Sequence, residues 1–177
     1  VMDIIRESGL PPECLKLEVT ESSVIQNPEV CISKMRMLRA QGITFSIDDF
    51  GTGYSSLSYL KRFPIDTLKI DRSFISDAMS SKGDQEIVKT IIAMARNLNI
   101  DAVAEGVETQ EQKDFLASYG CNSMQGFFFA HPLPVEQFKD LLQRQQRSAP
   151  PGKNGIAVKG QATHAVKAEK SSRRTIP

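Results

Sequence analysis

Two rhythms of apolar and polar residues alternate along this chain. Leu15-Lys16-Leu17-Glu18-Val19-Thr20 follows the period of two of a half-buried strand and runs into Glu21-Ser22-Ser23, which reads as a loop. Gly42-Ile43-Thr44-Phe45-Ser46-Ile47 is dominated by β-branched and aromatic residues and reads as a buried strand. Thr67 to Asp71, Asp101 to Gly106 and Ser123 to Phe129 read as three more. Between the strands the period lengthens to that of helices. Asn27-Pro28 offers a cap and a first-turn proline for a helix to about Ala40, with Val30, Met35 and Leu38 on its apolar side. A helical pattern resumes at Tyr54 and stops near Phe63-Pro64, and Gln85 to Leu98 carries a broad stripe of Ile87, Val88, Ile91, Ile92, Ala95 and Leu98. Thr109-Gln110-Glu111-Gln112 opens another helix that ends near Tyr119-Gly120, and a last one runs from about Pro134 to Gln145. At the front, Met2, Ile4 and Ile5 belong to an amphipathic helix closed by Gly9 and Pro11-Pro12, so the chain is expected to begin inside an element.

Strands alternating with crossover helices call for an α/β fold with a parallel sheet. The strand ends fall at Glu18, Asp48, Asp71, Glu105 and Gln125, one βα unit every 20 to 34 residues. That period suits a (β/α)8 barrel of the TIM type or an open doubly wound sheet. Every strand ends in polar or charged residues, and a barrel brings all strand ends to one rim, whereas an open sheet gathers them at one crevice. A barrel is therefore expected. A complete one takes about 250 residues; with five strands legible, it is expected to be incomplete, lacking about three strands on the N-terminal side.

Composition narrows the picture little, but charge divides the chain. At 40% hydrophobic and 24% charged it is an ordinary globular composition. No apolar run approaches a membrane span and no signal pattern opens the chain, so a cytoplasmic location is the expectation. Cys14, Cys31 and Cys121 are odd in number and widely spaced, which argues for reduced thiols rather than disulfides or a zinc site. Residues 1–144 hold 15 Lys and Arg against 20 Asp and Glu, while residues 145–177 hold 7 against 1. The second stretch, rich in Ser, Pro, Gly, Ala and Lys, buries too little to offset its ordering entropy and is expected to be a disordered basic tail after a domain of residues 1–144. Without interleaved aromatic residues it is not expected to bind a nucleic-acid polymer specifically.

The strand ends carry the candidate chemistry. Asp48 and Asp49 are adjacent carboxylates ahead of the mobile-backbone run Gly51-Thr52-Gly53, and Lys69 and Asp71, two apart, point to one face. With Glu18, Glu105 and Gln125 they would put five carboxylates, a lysine and an amide on one rim. That much charge needs a counterion, since each unpaired buried ion costs several kcal/mol. Oxygen donors without Cys or well-placed His favour Mg²⁺ or Mn²⁺, and two ions roughly 3.5 to 4 Å apart suit in-line attack on a phosphodiester.

At these residues the sequence resembles the EAL domain family, bacterial signalling phosphodiesterases that linearise cyclic di-GMP. The resemblance rests on Leu17-Glu18-Val19-Thr20-Glu21-Ser22, Asp48 to Leu57, Leu68 to Phe74, Ala104 to Thr109 and Gln125-Gly126-Phe127, in order, over about residues 1–144. It implies that Glu18, Asp48, Asp49, Asp71 and Glu105 are metal ligands for two ions, that Lys69 holds or polarises the attacking water, and that Glu105 doubles as general base. It further implies that Gln125 is the amide behind the ligands and that Glu21 anchors the loop after Asp49. The family's dimer contacts imply a homodimer through that loop and the helix from Tyr54. Glu108 is expected to cap or pair, and Phe127 to pack. The Glu-x-Leu strand that names the family, and the Asn ligand of the strand after it, are not in these residues. The chain alone is therefore expected to be inactive or unfolded. A degenerate domain serving as a cyclic di-GMP sensor or protein-interaction module is the alternative, and another metal-dependent barrel lyase or hydrolase a third reading.

Overall fold

Five strands pair in parallel and in chain order: β1 (Lys16–Thr20), β2 (Thr44–Phe50), β3 (Thr67–Ile70), β4 (Asp101–Ala104) and β5 (Ser123–Met124). They belong to a computed structural model that describes residues 2–52 and 57–148. Among the described residues the strand order 1-2-3-4-5 has no reversal and so no crevice of the doubly wound kind, and the sheet is an open segment of a TIM-type barrel. The helices are α1 (Met2–Ser8), α2 (Glu21–Gln26), α3 (Pro28–Arg39), α4 (Leu57–Leu60), α5 (Arg72–Asp77), α6 (Lys82–Asn97), α7 (Gln110–Ser118) and α8 (Val135–Ser148). None of them is long and apolar enough to cross a membrane.

The strand period of two splits the sheet into an apolar and a polar face. Phe45 and Ile47 of β2, Leu68 and Ile70 of β3 and Ala104 of β4 join one buried cluster with Ile32, Met35, Val88, Ile91, Ile92 and Leu116 from the helices. Each fully buried Ile or Leu there contributes about 1.5 to 3 kcal/mol. Ser46, Asp48, Thr67 and Lys69 alternate with those residues and take the opposite face. There, Lys16 Nζ donates to Thr67 Oγ1 at 2.7 Å.

Several boundaries differ from the sequence reading. Glu21-Ser22-Ser23 opens α2 rather than a loop, and α5 starts directly behind Asp71, whose side chain caps it. On α3 the buried residues are Ile32 and Met35, while Val30 is exposed, because two helical positions turn it about 200° from Ile32. Ile87 likewise faces out from α6. β5 is only two residues long, since a Cβ at Gly126 would come within 2.1 Å of the Val107 carbonyl; this close approach turns the chain, and Phe127, Phe128 and Phe129 lie exposed beyond it. Helix α8 extends to Ser148, past the expected end at Gln145. Residues 149–177 of the expected tail, and residues 53–56 at the start of the expected helix from Tyr54, lie outside the described residues.

Candidate functional site

Lys69 is the pivot. It sits near the end of β3, 5% exposed, with its ammonium on the polar face. Three strands deliver carboxylates to it: Lys69 Nζ is 3.1 Å from Glu18 Oε2, 2.9 Å from Asp48 Oδ1 and 2.6 Å from Glu105 Oε1. The parallel register explains the convergence. Lys69 stands beside Val103, so Glu105, two residues on, projects from the same face one step higher; Glu18 stands beside Ser46, one step below Asp48. Burial by itself lowers the lysine pKa, but the contacts with Glu105, Asp48 and Glu18 outweigh it and hold the pKa well above the ordinary value. The three carboxylates thus favour the charged form of Lys69.

Asp48 and Asp49 are both inside β2, which runs on to Phe50. In a regular strand neighbours point to opposite faces. The β2–β3 register slips between Ile47 and Phe50, and Asp49 adopts φ +54°, so the bulge re-aims its carboxyl. Asp tolerates that left-handed region better than most residues do. Partial burial, then the negative charges of Asp48 and Asp71, raise the Asp49 pKa. Asp71 accepts from the Ser73 backbone N–H at 2.9 Å and from the Ser73 hydroxyl, capping α5. Asp71 makes no ion pair with Lys69, whose partners are Glu18, Asp48 and Glu105.

Glu105 follows β4 directly. Burial raises its pKa, against the lowering effect of Lys69, and Gln125 Nε2 donates to its Oε1 at 2.9 Å. Glu21 is 3% exposed and accepts from the Gly51 N–H at 2.9 Å, while its Oε1 is buried without a hydrogen-bond partner. Gly51 has φ +100°, and a Cβ there would meet Phe74 at 2.8 Å, so this turn after Asp49 requires glycine. Glu108 pairs with Arg72 at 2.7 Å on the surface, as the expectation of a pairing role has it. Phe127 stacks on His131, ring centroids 4.3 Å apart, and stays exposed.

One buried polar residue at this end of the sheet went unread in the sequence. Gln112 is 7% exposed, and its Oε1 accepts from the N–H groups of Glu108 and Thr109 at 2.8 and 3.0 Å while Nε2 donates to the Ile75 carbonyl at 3.1 Å. The Thr-x-x-Gln spacing of a capping box was the available signal.

The site tests as part of a cation centre. Among the described residues no three His, Cys, Asp or Glu side chains converge into a closed metal-binding group, because Lys69 draws Glu18, Asp48 and Glu105 onto itself. The donors that remain are all hard oxygens. Asp48 Oδ1 is buried with only the lysine against it, and two carboxyls, Asp49 and Asp71, press together where like charges repel. A divalent cation would relieve that repulsion, so the chemistry of the residues present fits an oxygen-ligated ion.

Comparison with known proteins gives one consistent answer. The family model described as "EAL domain" matches residues 1–132. The cyclic di-GMP phosphodiesterase NbdA of Pseudomonas aeruginosa is 46% identical over 151 residues, 85% of this chain and 19% of that protein. A solved structure of the PaMucR phosphodiesterase in complex with c-di-GMP is 48% identical, superposes with a TM-score of 0.76, and is matched over 78% of this chain and 56% of its own. Klebsiella pneumoniae BlrP1, solved as a manganese and cyclic di-GMP complex, is 40% identical with a TM-score of 0.68, over 74% of this chain and 33% of its own. The chain spans about a fifth of the length of the curated relatives it matches.

Proposed function

Because the chain belongs to the EAL domain family, we propose that it carries the greater part of the site for metal-dependent hydrolysis of cyclic di-GMP to linear pGpG. The observation that carries this reading is the grip of Glu18, Asp48 and Glu105, from three strands, on one buried ammonium, with Asp49 and Asp71 beside it. Glu18, Asp48, Asp49, Asp71 and Glu105 would hold two ions, Mg²⁺ or Mn²⁺; the manganese complex of BlrP1 supports a divalent cation. When bound, the ions supply Lewis-acid stabilisation of charge on the phosphoryl and attacking oxygens.

The protein's own groups then divide the work. The water oxygen forms the new P–O bond, one ester P–O bond breaks, and the departing ribose oxygen becomes a hydroxyl by taking up the proton that the water gives up. Lys69, its three N–H donors directed at Glu18, Asp48 and Glu105, polarises the water through its charge and stabilises negative charge as it develops. The raised pKa of Glu105 suits it to take the water's proton; its Oε1 is occupied by Lys69 and Gln125, which leaves Oε2 as the accepting atom. Gln125 fixes that orientation. Glu21 holds the turn after Asp49 through Gly51, and the proposal includes a homodimer that would form through the loop and helix after Asp49. Free Cys14, Cys31 and Cys121 support placing the reaction in the reducing cytoplasm.

Five strands with open edges do not make a closed barrel, so the activity resides in a polypeptide that completes it, and residues 1–177 alone give no turnover. The test is cyclic di-GMP hydrolysis with Mn²⁺ or Mg²⁺, by this chain and by the longer protein, each with and without Lys69→Met. Turnover by the longer protein that falls at least about a hundredfold in Lys69→Met supports the reading. Binding of cyclic di-GMP without cleavage favours the sensor alternative, and neither binding nor cleavage defeats both.

A further inference from the structure

We propose that Gln112 is a positioning residue that locks the Glu105 loop to the Asp71 turn, so that Lys69, Asp71 and Glu105 move as one body. The inference rests on the function proposed above for what the body does, but not for its existence. Glu105 opens a loop of residues 105–109 between β4 and α7. Its first residue is tied back to β3, where the Glu105 N–H donates to the Ile70 carbonyl at 3.2 Å, one residue before Asp71. Its far end is tied by Gln112, which accepts from Glu108 and Thr109 and donates to Ile75 in the helix that Asp71 caps. Both ends of the Glu105 loop therefore hang from the one segment, 69–75, that carries Lys69 and Asp71.

Thr109 Oγ1 completes the lock by accepting from the Gln112 backbone N–H at 3.2 Å. An ordinary capping box needs only the helix's own first turn. Here the same side chain also gives one of its two amide N–H donors to a separate element, 37 positions away in sequence, at 7% exposure. The exposed Arg72 and Glu108 pair spans the same gap on the outside, but an exposed pair contributes little to rigidity. A displacement of about 1 Å in a reacting group can lower a rate a hundredfold, which makes such a lock worth having.

The test uses the full polypeptide with Gln112→Glu, Gln112→Leu and, as control, Gln110→Ala on the exposed side of the same helix. Gln112→Glu keeps an acceptor for Glu108 and Thr109 but places a carboxylate oxygen against the Ile75 carbonyl. The expected result is a kcat lowered on the order of ten- to a hundredfold at nearly unchanged KM. The ¹⁵N signal of the Lys69 ammonium shifts and its protons exchange faster, as the Glu105 contact loosens. The control changes neither. Folded variants with kcat within about twofold and an unmoved Lys69 signal overturn the proposal; so does failure of Gln112→Glu to fold, since the residue is then structural only. Should the unaltered protein lack hydrolysis, the proposed function falls, and the Lys69 signal still decides the role of Gln112.

Discussion

At the residue scale one buried ammonium gathers three strand ends: Lys69 holds Glu18, Asp48 and Glu105. Spacing puts Lys69 and Asp71 on one face, yet their partners differ: Lys69 goes to the three carboxylates, while Asp71 caps α5 through Ser73 and bears on Asp49. Nothing local announces the bulge at Asp49, because a register slip is a property of two strands. It has a testable consequence. Asp49→Asn removes a charge that Asp48 and Asp71 repel while keeping a residue type at ease with positive φ. In chelator the variant is expected to melt at a higher temperature than the unaltered protein, and to gain less when Mn²⁺ is added; a larger Mn²⁺ gain would contradict the assignment of Asp49 as a ligand. A second residue reports on the core. Burial pushes the Cys121 thiol up from 9.0 to about 11, outweighing the lowering by its backbone contacts. Since the folded pKa lies above the unfolded one, the contribution is fully present below pH 9 and is lost as pH rises through 11. It amounts to about 2 to 3 kcal/mol. Urea unfolding at pH 8 and pH 11 should show that loss, and Cys121→Ala should lessen it.

At the element scale the strands and long helices were legible because their periods persist over several turns, whereas α2 and α5 were missed because six residues are too few for a period to show. Both short helices follow strand ends and carry site residues, Glu21 as the first residue of α2 and Asp71 as the cap of α5. Glu21 joins α2 to the turn after β2, and the joint can be tested by itself. Glu21→Ala removes the acceptor of the Gly51 N–H, with an expected loss of about 1 to 3 kcal/mol and faster exchange of that amide. Glu21→Gln keeps an acceptor and should lose less. Equal losses in the two variants would mean that charge, not the hydrogen bond, does the holding. The overlong expectation for β5 has a different origin: an aromatic run looks like a strand until Gly126 turns against Val107, and only the tertiary approach reveals that.

On the scale of the whole molecule, the order 1-2-3-4-5 leaves β1 and β5 as open edges among the described residues, with Phe127, Phe128 and Phe129 exposed beyond β5 at 51%, 36% and 43%. Unpaired edges beside apolar surface invite association. Residues 1–177 in isolation are expected to sediment as concentration-dependent oligomers, and the longer protein, with its barrel closed, as one defined species; a strictly monomeric isolated chain would argue against open edges in solution. The sequence by itself determined the fold class, the succession of βα units and the set of acidic, lysyl and amide side chains, because periodicity and residue chemistry are written position by position. Only the tertiary structure decided which carboxylates share Lys69, how a bulge brings Asp49 against Asp71, and which buried glutamine ties two loops together. These depend on the register and approach of segments distant in sequence, and no single segment encodes them.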